Sequence, residues 1–134
     1  VKIFDKVIVA VAENPTKNTL FNISERINFV NTIFQNNKSV VIYPLNKLLV
    51  EFAKEHNATV ILRGLRAVSD FEYEFQLAGM NRKLNNNIET IFLMSDVENQ
   101  IISSKFVKEI VKLKGDIKKF TTKSTIKSLK EKYE

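Results

Sequence analysis

The chain has 134 residues, of which 44% are hydrophobic and 27% are charged, and it contains 3 Gly, 2 Pro and no Cys. This composition is typical of one soluble globular domain, and it excludes a disordered chain, a disulfide scaffold and a cysteine nucleophile. A single His also excludes a metal site built from several imidazoles. No stretch approaches the ~18 apolar residues of a membrane span and the amino end does not resemble a signal peptide, so we expect a cytoplasmic protein with no membrane partner.

The net charge of +6 is concentrated at the carboxyl end. From Val1 to Ile102, 7 Lys and 4 Arg balance 11 acidic residues, whereas from Ser103 to Glu134 there are 10 Lys and 4 acidic residues. Clustered Lys can neutralise a phosphate backbone, but this segment has no Arg and few aromatic residues. We interpret it as a solvated, lysine-rich helix and expect no nucleic-acid partner.

Four short runs rich in β-branched residues predict strands. None shows the alternation of a half-exposed strand, which indicates burial on both faces of a parallel sheet. Pro44 and Gly64 are predicted to end the second and third runs. The runs are Lys6 to Ala12, Ser39 to Tyr43, Thr59 to Arg63 and Thr90 to Met94.

Segments with helical periodicity separate and follow these runs. The faces predicted to point inward are Ile23, Ile27, Val30, Ile33 and Phe34; Leu48, Leu49, Phe52 and Ala53; Phe71, Phe75, Ala78 and Leu84; and Phe106, Val107, Ile110 and Val111. The fourth of these helices spans Ser103 to Leu113, with Gly115 as its C-cap, and a last helix spans Ser124 to Tyr133. Strands that alternate with helices predict an α/β fold, a doubly wound parallel sheet in a single domain.

Candidate anion-binding residues follow three of the four predicted strands, where parallel sheets bind their ligands. They are Lys17 after the first strand, Arg63 to Arg66 after the third, and Ser103, Ser104 and Lys105 at the start of a helix after the fourth. Arginine forks, lysine and free helix amides all suit phosphate. Three alternatives remain open: salt bridges from the arginines to Asp70, Glu72 or Glu74, ordinary capping by the serines, and a solvated Lys17.

Two further patterns have structural interpretations. Ser69 to Glu72 has the S-x-x-E form of a capping box, in which Glu72 bonds back to the helix start and Asp70 favours the helix dipole. Glu74 has no such role. His56 lies at a predicted helix end beside Asn57, and no catalytic triad or metal-ligand spacing is present.

Residues 62–74, with sequence LRGLRAVSDFEYE, closely resemble the bacterial phosphopantetheine adenylyltransferase family. Further matching segments occur in order along essentially the whole chain: Asn14 to Lys17, Leu48 to Ala53, Ile91 to Met94, and Ile102 to Ser104. The resemblance implies a Rossmann-like nucleotidyltransferase fold. It also implies transfer of the adenylyl group of ATP to 4′-phosphopantetheine, which gives dephospho-coenzyme A and pyrophosphate with Mg²⁺ as cofactor.

The resemblance also implies roles for residues. Lys17, Leu49 and Arg63 would contact phosphopantetheine. Gly64, Leu65, Arg66 and Glu74, together with Asn99, Gln100, Ile101, Ile102, Ser103, Ser104 and Lys105, would line the ATP site. The substrate's own phosphate would attack the α-phosphorus in line, so no protein nucleophile is needed. Coenzyme A as a feedback ligand and a homohexamer are also family properties.

The sequence departs from the family pattern in two ways. Asn99 stands where the family usually has an aromatic residue, and Lys105 stands where it has a third serine. The family's first strand, its Thr-x-Gly-His motif and its first helix have no counterpart in residues 1–134, so we expect a fifth strand upstream and little turnover by this chain alone. The alternatives are another nucleotidyltransferase of the same fold and a non-catalytic module that binds nucleotides or nucleic acid.

Overall fold

The structure is a computed structural model that describes residues 3–13 and 19–133. Lys17 therefore lies outside the described residues. The chain divides into two compact units, one formed by Val1–Asn46 with Val111–Glu134 and the other by Lys47–Ile110. In chain order the elements are β1 Val7–Ala12, α1 Ile23–Phe34, β2 Val40–Leu45, α2 Leu49–Glu55, β3 Val60–Leu65, α3 Val68–Leu84, β4 Glu89–Met94, α4 Val97–Gln100, α5 Ser104–Lys112 and α6 Lys123–Tyr133.

Each unit contains one pair of parallel strands. β1 pairs with β2, from Val7 opposite Val40 to Ala12 opposite Leu45, and β3 pairs with β4, from Val60 opposite Glu89 to Leu65 opposite Met94. A helix connects the strands of each pair, as parallel pairing requires. The predicted α/β class with parallel strands is thereby confirmed.

The unit of residues 47–110 has a small apolar core between α2 and β3. Val50 and Ala53 from α2 pack with Ile61 of β3 and with Ile88, which precedes β4. Leu49 packs against this cluster and is partly buried. The core thus fixes the start of α2 against the sheet from which Arg63 projects.

Two strands extend beyond the residues predicted to end them. β2 includes Pro44, opposite Val11, and β3 includes Gly64, opposite Leu93. A strand accepts proline at a position whose backbone N–H would not bond to the neighbouring strand. Gly64 does not adopt a positive φ. Neither residue therefore interrupts the extended backbone.

Several predicted inward faces are wrong in part. Ile33 and Leu48 are exposed, as are Phe71, Phe75 and Leu84 of α3 and Phe106 of α5. In α3 Ala78 is half-buried as predicted, and the other half-buried positions are Asp70, Glu74, Leu77 and Asn81. Their spacing of three and four residues marks the face toward the strands, and Phe71 and Phe75 stack beside it with ring centroids 5.8 Å apart.

Helix boundaries also differ from the predictions. α3 begins at Val68 with Ala67 as its N-cap and without a side-chain cap, so Ser69 lies inside the helix and the predicted capping box is wrong. The left-handed residue after α5 is Lys114, with φ 58°, rather than Gly115. Residues 95–102, predicted as a loop, contain the short helix α4. No helix in the described ranges is long and apolar enough to cross a membrane.

Candidate anion-binding site

The candidate site lies at the carboxyl ends of β3 and β4, within the unit of residues 47–110. Arg63, Gly64 and Leu65 are the last three residues of β3, and Arg66 follows directly. The Ser95 N–H donates to the carbonyl of Leu65 at 2.8 Å, so the pairing of the two strands continues one residue beyond β4. This edge is the place where a parallel sheet presents its ligand site.

Arg63 and Glu74 form a two-point ion pair. Nε and Nη2 of Arg63 each donate to one carboxylate oxygen of Glu74 at 2.6 Å. The Glu74 side chain is only 12% exposed and that of Arg63 is 36% exposed. The hydrogen bonds that Arg63 donates to Glu74 raise the pKa of Arg63 above its ordinary value, so Arg63 stays charged. Among the described residues no acceptor bonds to the two Nη1 hydrogens or to the second Nη2 hydrogen of Arg63.

Arg66 is held at two places. Its Nε donates to Oδ2 of Asp70 at 3.0 Å and its Nη2 to Oδ1 at 3.4 Å. Its Nη1 donates to the carbonyl of Ile102 at 3.1 Å. The hydrogen bond from Arg66 is the main reason that the pKa of Asp70 lies below its ordinary value.

The start of α5 is capped by Ser103. Its Oγ accepts a hydrogen bond from the backbone N–H of Phe106 at 3.2 Å, and its carbonyl accepts one from Val107. Ser103 therefore has the ordinary capping role that the sequence left open, and Ser104 and Lys105 form the first turn. Lys105 makes no ion pair within the ranges that the structure describes.

The other predicted site residues occupy varied positions. Asn99 and Gln100 belong to α4, and Gln100 donates through its side-chain amide to the carbonyl of Ser95 at 3.2 Å. Ile101 is exposed. Leu49 begins α2 and packs against the core cluster. A Cβ added at Gly64 would meet no atom within 4 Å, so the space above this residue is open.

Both arginine pairs were among the alternatives from sequence, whereas the bond from Arg66 to Ile102 was not predicted. Arg66 and Ile102 are separated by 36 positions, and a backbone carbonyl leaves no signature in a sequence. The short helix α4 brings the chain back to Arg66, and it was itself missed. The structure thus brings together Arg63 with Glu74, and Arg66 with Ile102 at the start of α5.

An open cleft of about 890 Å³ lies at the other end of the same strands. Its lining includes Thr59 and Ile88, which directly precede β3 and β4, and the cationic Lys54, Arg82 and Lys83. These cations end α2 and α3, where a positive charge complements the helix dipole. Their positions have a structural explanation, so we place the candidate site at the carboxyl ends of the strands.

Comparison with known proteins shows the family to which the chain belongs. A family model described as cytidylyltransferase-like matches residues 1–110. A phosphopantetheine adenylyltransferase of Pelagibacter ubique is 68% identical over an alignment that covers 99% of this chain and 84% of that protein. Proteins of the same name from Nitratidesulfovibrio vulgaris and Cereibacter sphaeroides are 48% and 47% identical, covering 98% and 96% of this chain and 71% and 82% of their own lengths.

Proposed function

Because the chain belongs to the phosphopantetheine adenylyltransferases, within the cytidylyltransferase-like family, we propose that it transfers the adenylyl group of ATP to 4′-phosphopantetheine. The products are dephospho-coenzyme A and pyrophosphate, which makes the protein a nucleotidyltransferase of coenzyme A biosynthesis. The 68% identity to the Pelagibacter ubique protein over nearly the whole chain is the observation that carries this proposal. Two arginines and a helix start at the carboxyl ends of parallel strands support it.

The reaction needs positioning and charge stabilisation more than a protein nucleophile. An oxygen of the phosphopantetheine phosphate forms a bond to the α-phosphorus of ATP. The bond from that phosphorus to the oxygen bridging to the β-phosphate breaks, and pyrophosphate leaves with the electron pair. The protein's part is to hold two anionic substrates in line and to stabilise the charge that moves onto the leaving group.

In this proposal Arg63 and Arg66 bind different substrates. Arg63, with Lys17 and Leu49, binds phosphopantetheine, and its free Nη1 edge is the part that Glu74 leaves available. Arg66, Gly64, Leu65 and Glu74 bind ATP, and the open space above Gly64 allows a ligand to approach the backbone. In this proposal Glu74 forms the ion pair with Arg63 and also lines the ATP site.

The segment from Asn99 to Lys105 completes the proposed ATP site. The free amides of the first turn of α5 and the positive end of its dipole favour phosphate oxygens, and Lys105 adds a cation where the family has a serine. Asn99 replaces an aromatic residue, so its contribution to adenine is an amide hydrogen bond instead of ring packing.

Mg²⁺ is the proposed cofactor, bound with ATP. In the described part of the chain no group of three or more His, Cys, Asp or Glu could hold a metal ion. This fits Mg²⁺, which is usually bound by substrate phosphates and water with one or two protein groups. When bound it would neutralise phosphate charge. A cytoplasmic homohexamer with coenzyme A as a feedback ligand completes the proposal.

Pyrophosphate release from the full-length protein tests the activity, with ATP and each of three acceptors: phosphopantetheine, nicotinamide mononucleotide and phosphocholine. We expect release with phosphopantetheine alone. Release with another acceptor would assign the protein to a different nucleotidyltransferase activity. Salt-dependent binding to DNA or RNA without any release would favour the non-catalytic module instead.

The assignment of ligands is tested by calorimetric titration of Arg63→Ala and Arg66→Ala. The two variants remove the same charge from positions three residues apart. We expect Arg63→Ala to weaken phosphopantetheine binding most and Arg66→Ala to weaken ATP binding most. Equal losses for both ligands in both variants would contradict the division.

A further inference from the structure

The Arg66 guanidinium joins two segments of the proposed ATP site. Asp70, in the first turn of α3, binds Nε and Nη2, and the carbonyl of Ile102, directly before the cap of α5, binds Nη1. The backbone N–H of Arg66 also points toward Oδ2 of Asp70, at 3.4 Å. One side chain therefore connects the start of α3 to the start of α5.

These contacts leave a defined part of the guanidinium free. Arginine has five N–H donors, and three of them are used by Asp70 and Ile102. One N–H on each terminal nitrogen has no acceptor in the part of the chain that the structure describes. Two donors on adjacent nitrogens are what a bidentate contact with a phosphate requires. The Arg66 side chain is 46% exposed, so a ligand can reach it.

We propose that Asp70 is a positioning residue for ATP: it holds Arg66 so that the two free N–H groups stand at a fixed distance from the amides of α5. This inference rests on the proposed function, because Arg66 is an ATP-binding residue only within it. In this proposal Asp70 acts through Arg66 and does not itself bind the substrate. Its contribution is to reduce the rotamer freedom that Arg66 would otherwise lose when it binds a phosphate.

Two other interpretations of the pair make different predictions. If the Asp70 carboxylate acts only through its charge, it repels an anionic ligand, and its neutralisation strengthens ATP binding. If the pair is only a structural contact of the surface, its loss changes the melting temperature slightly and leaves ATP affinity unchanged. A positioning role alone predicts that removal of a negative charge weakens the binding of an anion.

Asp70→Asn tests this by the direction of the change. The variant keeps the side-chain shape and one acceptor oxygen while it removes the charge. Glu72→Gln is the matched control, because it removes the same charge from the same helix. The Glu72 side chain is exposed and makes no hydrogen bond or ion pair among the described residues.

Titration of each purified full-length variant with ATP and, separately, with phosphopantetheine gives the readout. We expect Asp70→Asn to weaken ATP about tenfold, the order expected for one lost charge-assisted hydrogen bond, and to leave phosphopantetheine unchanged. Glu72→Gln should leave ATP affinity unchanged or slightly improve it. Asp70→Glu, which restores a carboxylate, should recover part of the loss.

A double variant shows whether Asp70 acts through Arg66. In an Arg66→Ala background, Asp70→Asn should have no further effect on ATP affinity. An Asp70→Asn variant that binds ATP as tightly as the parent protein, or more tightly, would overturn the inference, and so would additive losses in the double variant. A parent protein that binds no ATP would overturn the proposed function and this inference with it.

Discussion

The ion pair between Arg63 and Glu74 provides a direct test of the structure. In Arg63→Ala the Glu74 carboxylate, only 12% exposed, loses both of its 2.6 Å hydrogen bonds. A buried pair broken on one side costs about 3–5 kcal/mol, and a hydrogen bond to a charged group contributes about 1.5–3 kcal/mol. Because the Arg63 side chain is 36% exposed, water can enter the vacated space, and we expect a loss of about 2 kcal/mol.

Urea unfolding at pH 7, together with thermal melting, measures this loss. A decrease of about 2 kcal/mol corresponds to a melting temperature roughly 6–10 °C lower for a chain of this size. Arg66→Ala is the matched control, because it removes the same charge from a pair whose side chains are 46% and 28% exposed. It should lower the free energy of unfolding by less than about 1 kcal/mol.

A double replacement shows how much of the decrease in the free energy of unfolding comes from leaving the Glu74 carboxylate without a partner. Arg63→Met combined with Glu74→Leu removes both charges and keeps similar volume, so most of the lost stability should return. If Arg63→Ala unfolds at the same urea concentration as the parent protein, or no more easily than Arg66→Ala, the pair does not have the burial and geometry described.

Three further predictions concern other parts of the chain. Lys105→Ala should weaken ATP binding and leave the free protein as stable or slightly more stable, because a cation in the first turn of α5 opposes the helix dipole; an unchanged ATP affinity would remove Lys105 from the site. Asn22→Ala should lower the free energy of unfolding by about 1 kcal/mol, because Asn22 and Glu25 form a capping box at the start of α1; equal melting temperatures would contradict it. Acidification should destabilise the protein, because hydrogen bonds lower the pKa values of Glu25, Asp70 and Asp116 from their ordinary values of 4.5, 3.8 and 3.8. These carboxylates stabilise the folded state above their ordinary pKa values, and this stabilisation is lost as the pH falls through the lower pKa values of the folded protein. Glu25→Gln should therefore flatten the dependence of the free energy of unfolding on pH.

The strands could be predicted because parallel strands are typically short runs of β-branched residues. The burial on both faces that these runs predicted is wrong, because Leu62 of β3 and Ile91, Leu93 and Met94 of β4 are exposed. All four runs correspond to observed strands. Their ends were less predictable, because Pro44 and Gly64 usually end strands but here lie in positions where an extended backbone accepts them. The β-propensity of the residues predicts where each strand lies, whereas its pairing with the neighbouring strand determines where it ends.

The inward face of α3 could not be predicted from hydrophobic periodicity. Apolar residues occur around the whole helix, and Phe71 and Phe75 are exposed while Glu74 is half-buried. The ion pair with Arg63 accounts for this orientation, because it satisfies a carboxylate on the inner face. A periodicity argument assigns charged residues to solvent, so it fails where a buried charge has a partner on another element.

The position of the candidate residues at the strand ends could be predicted, whereas the contacts among them could not. The rule that ligands bind beyond the carboxyl ends of parallel strands needs only the strand positions. The partner of Arg63 depends on which face of α3 turns toward β3, and the partner of Arg66 depends on the path of α4. Both are tertiary properties, so the sequence left the arginine pairs open as alternatives.

The balance of charges indicates how this site would recognise an anion. Residues 63–74 contain two arginines and three acidic residues, and residues 95–105 contain Lys105 against Asp96 and Glu98. The two segments together therefore have a net charge of −2, so they do not attract a phosphate by an excess of positive charge of their own. Within these segments the attraction would come from directed N–H groups, which are the edges of two arginines oriented by carboxylates and the first amides of α5, while the proposed Lys17 and Mg²⁺ would add positive charge from outside them. Such a site favours a small ligand that fits the donors over a long polyanion, which binds by counterion release at a surface of net positive charge.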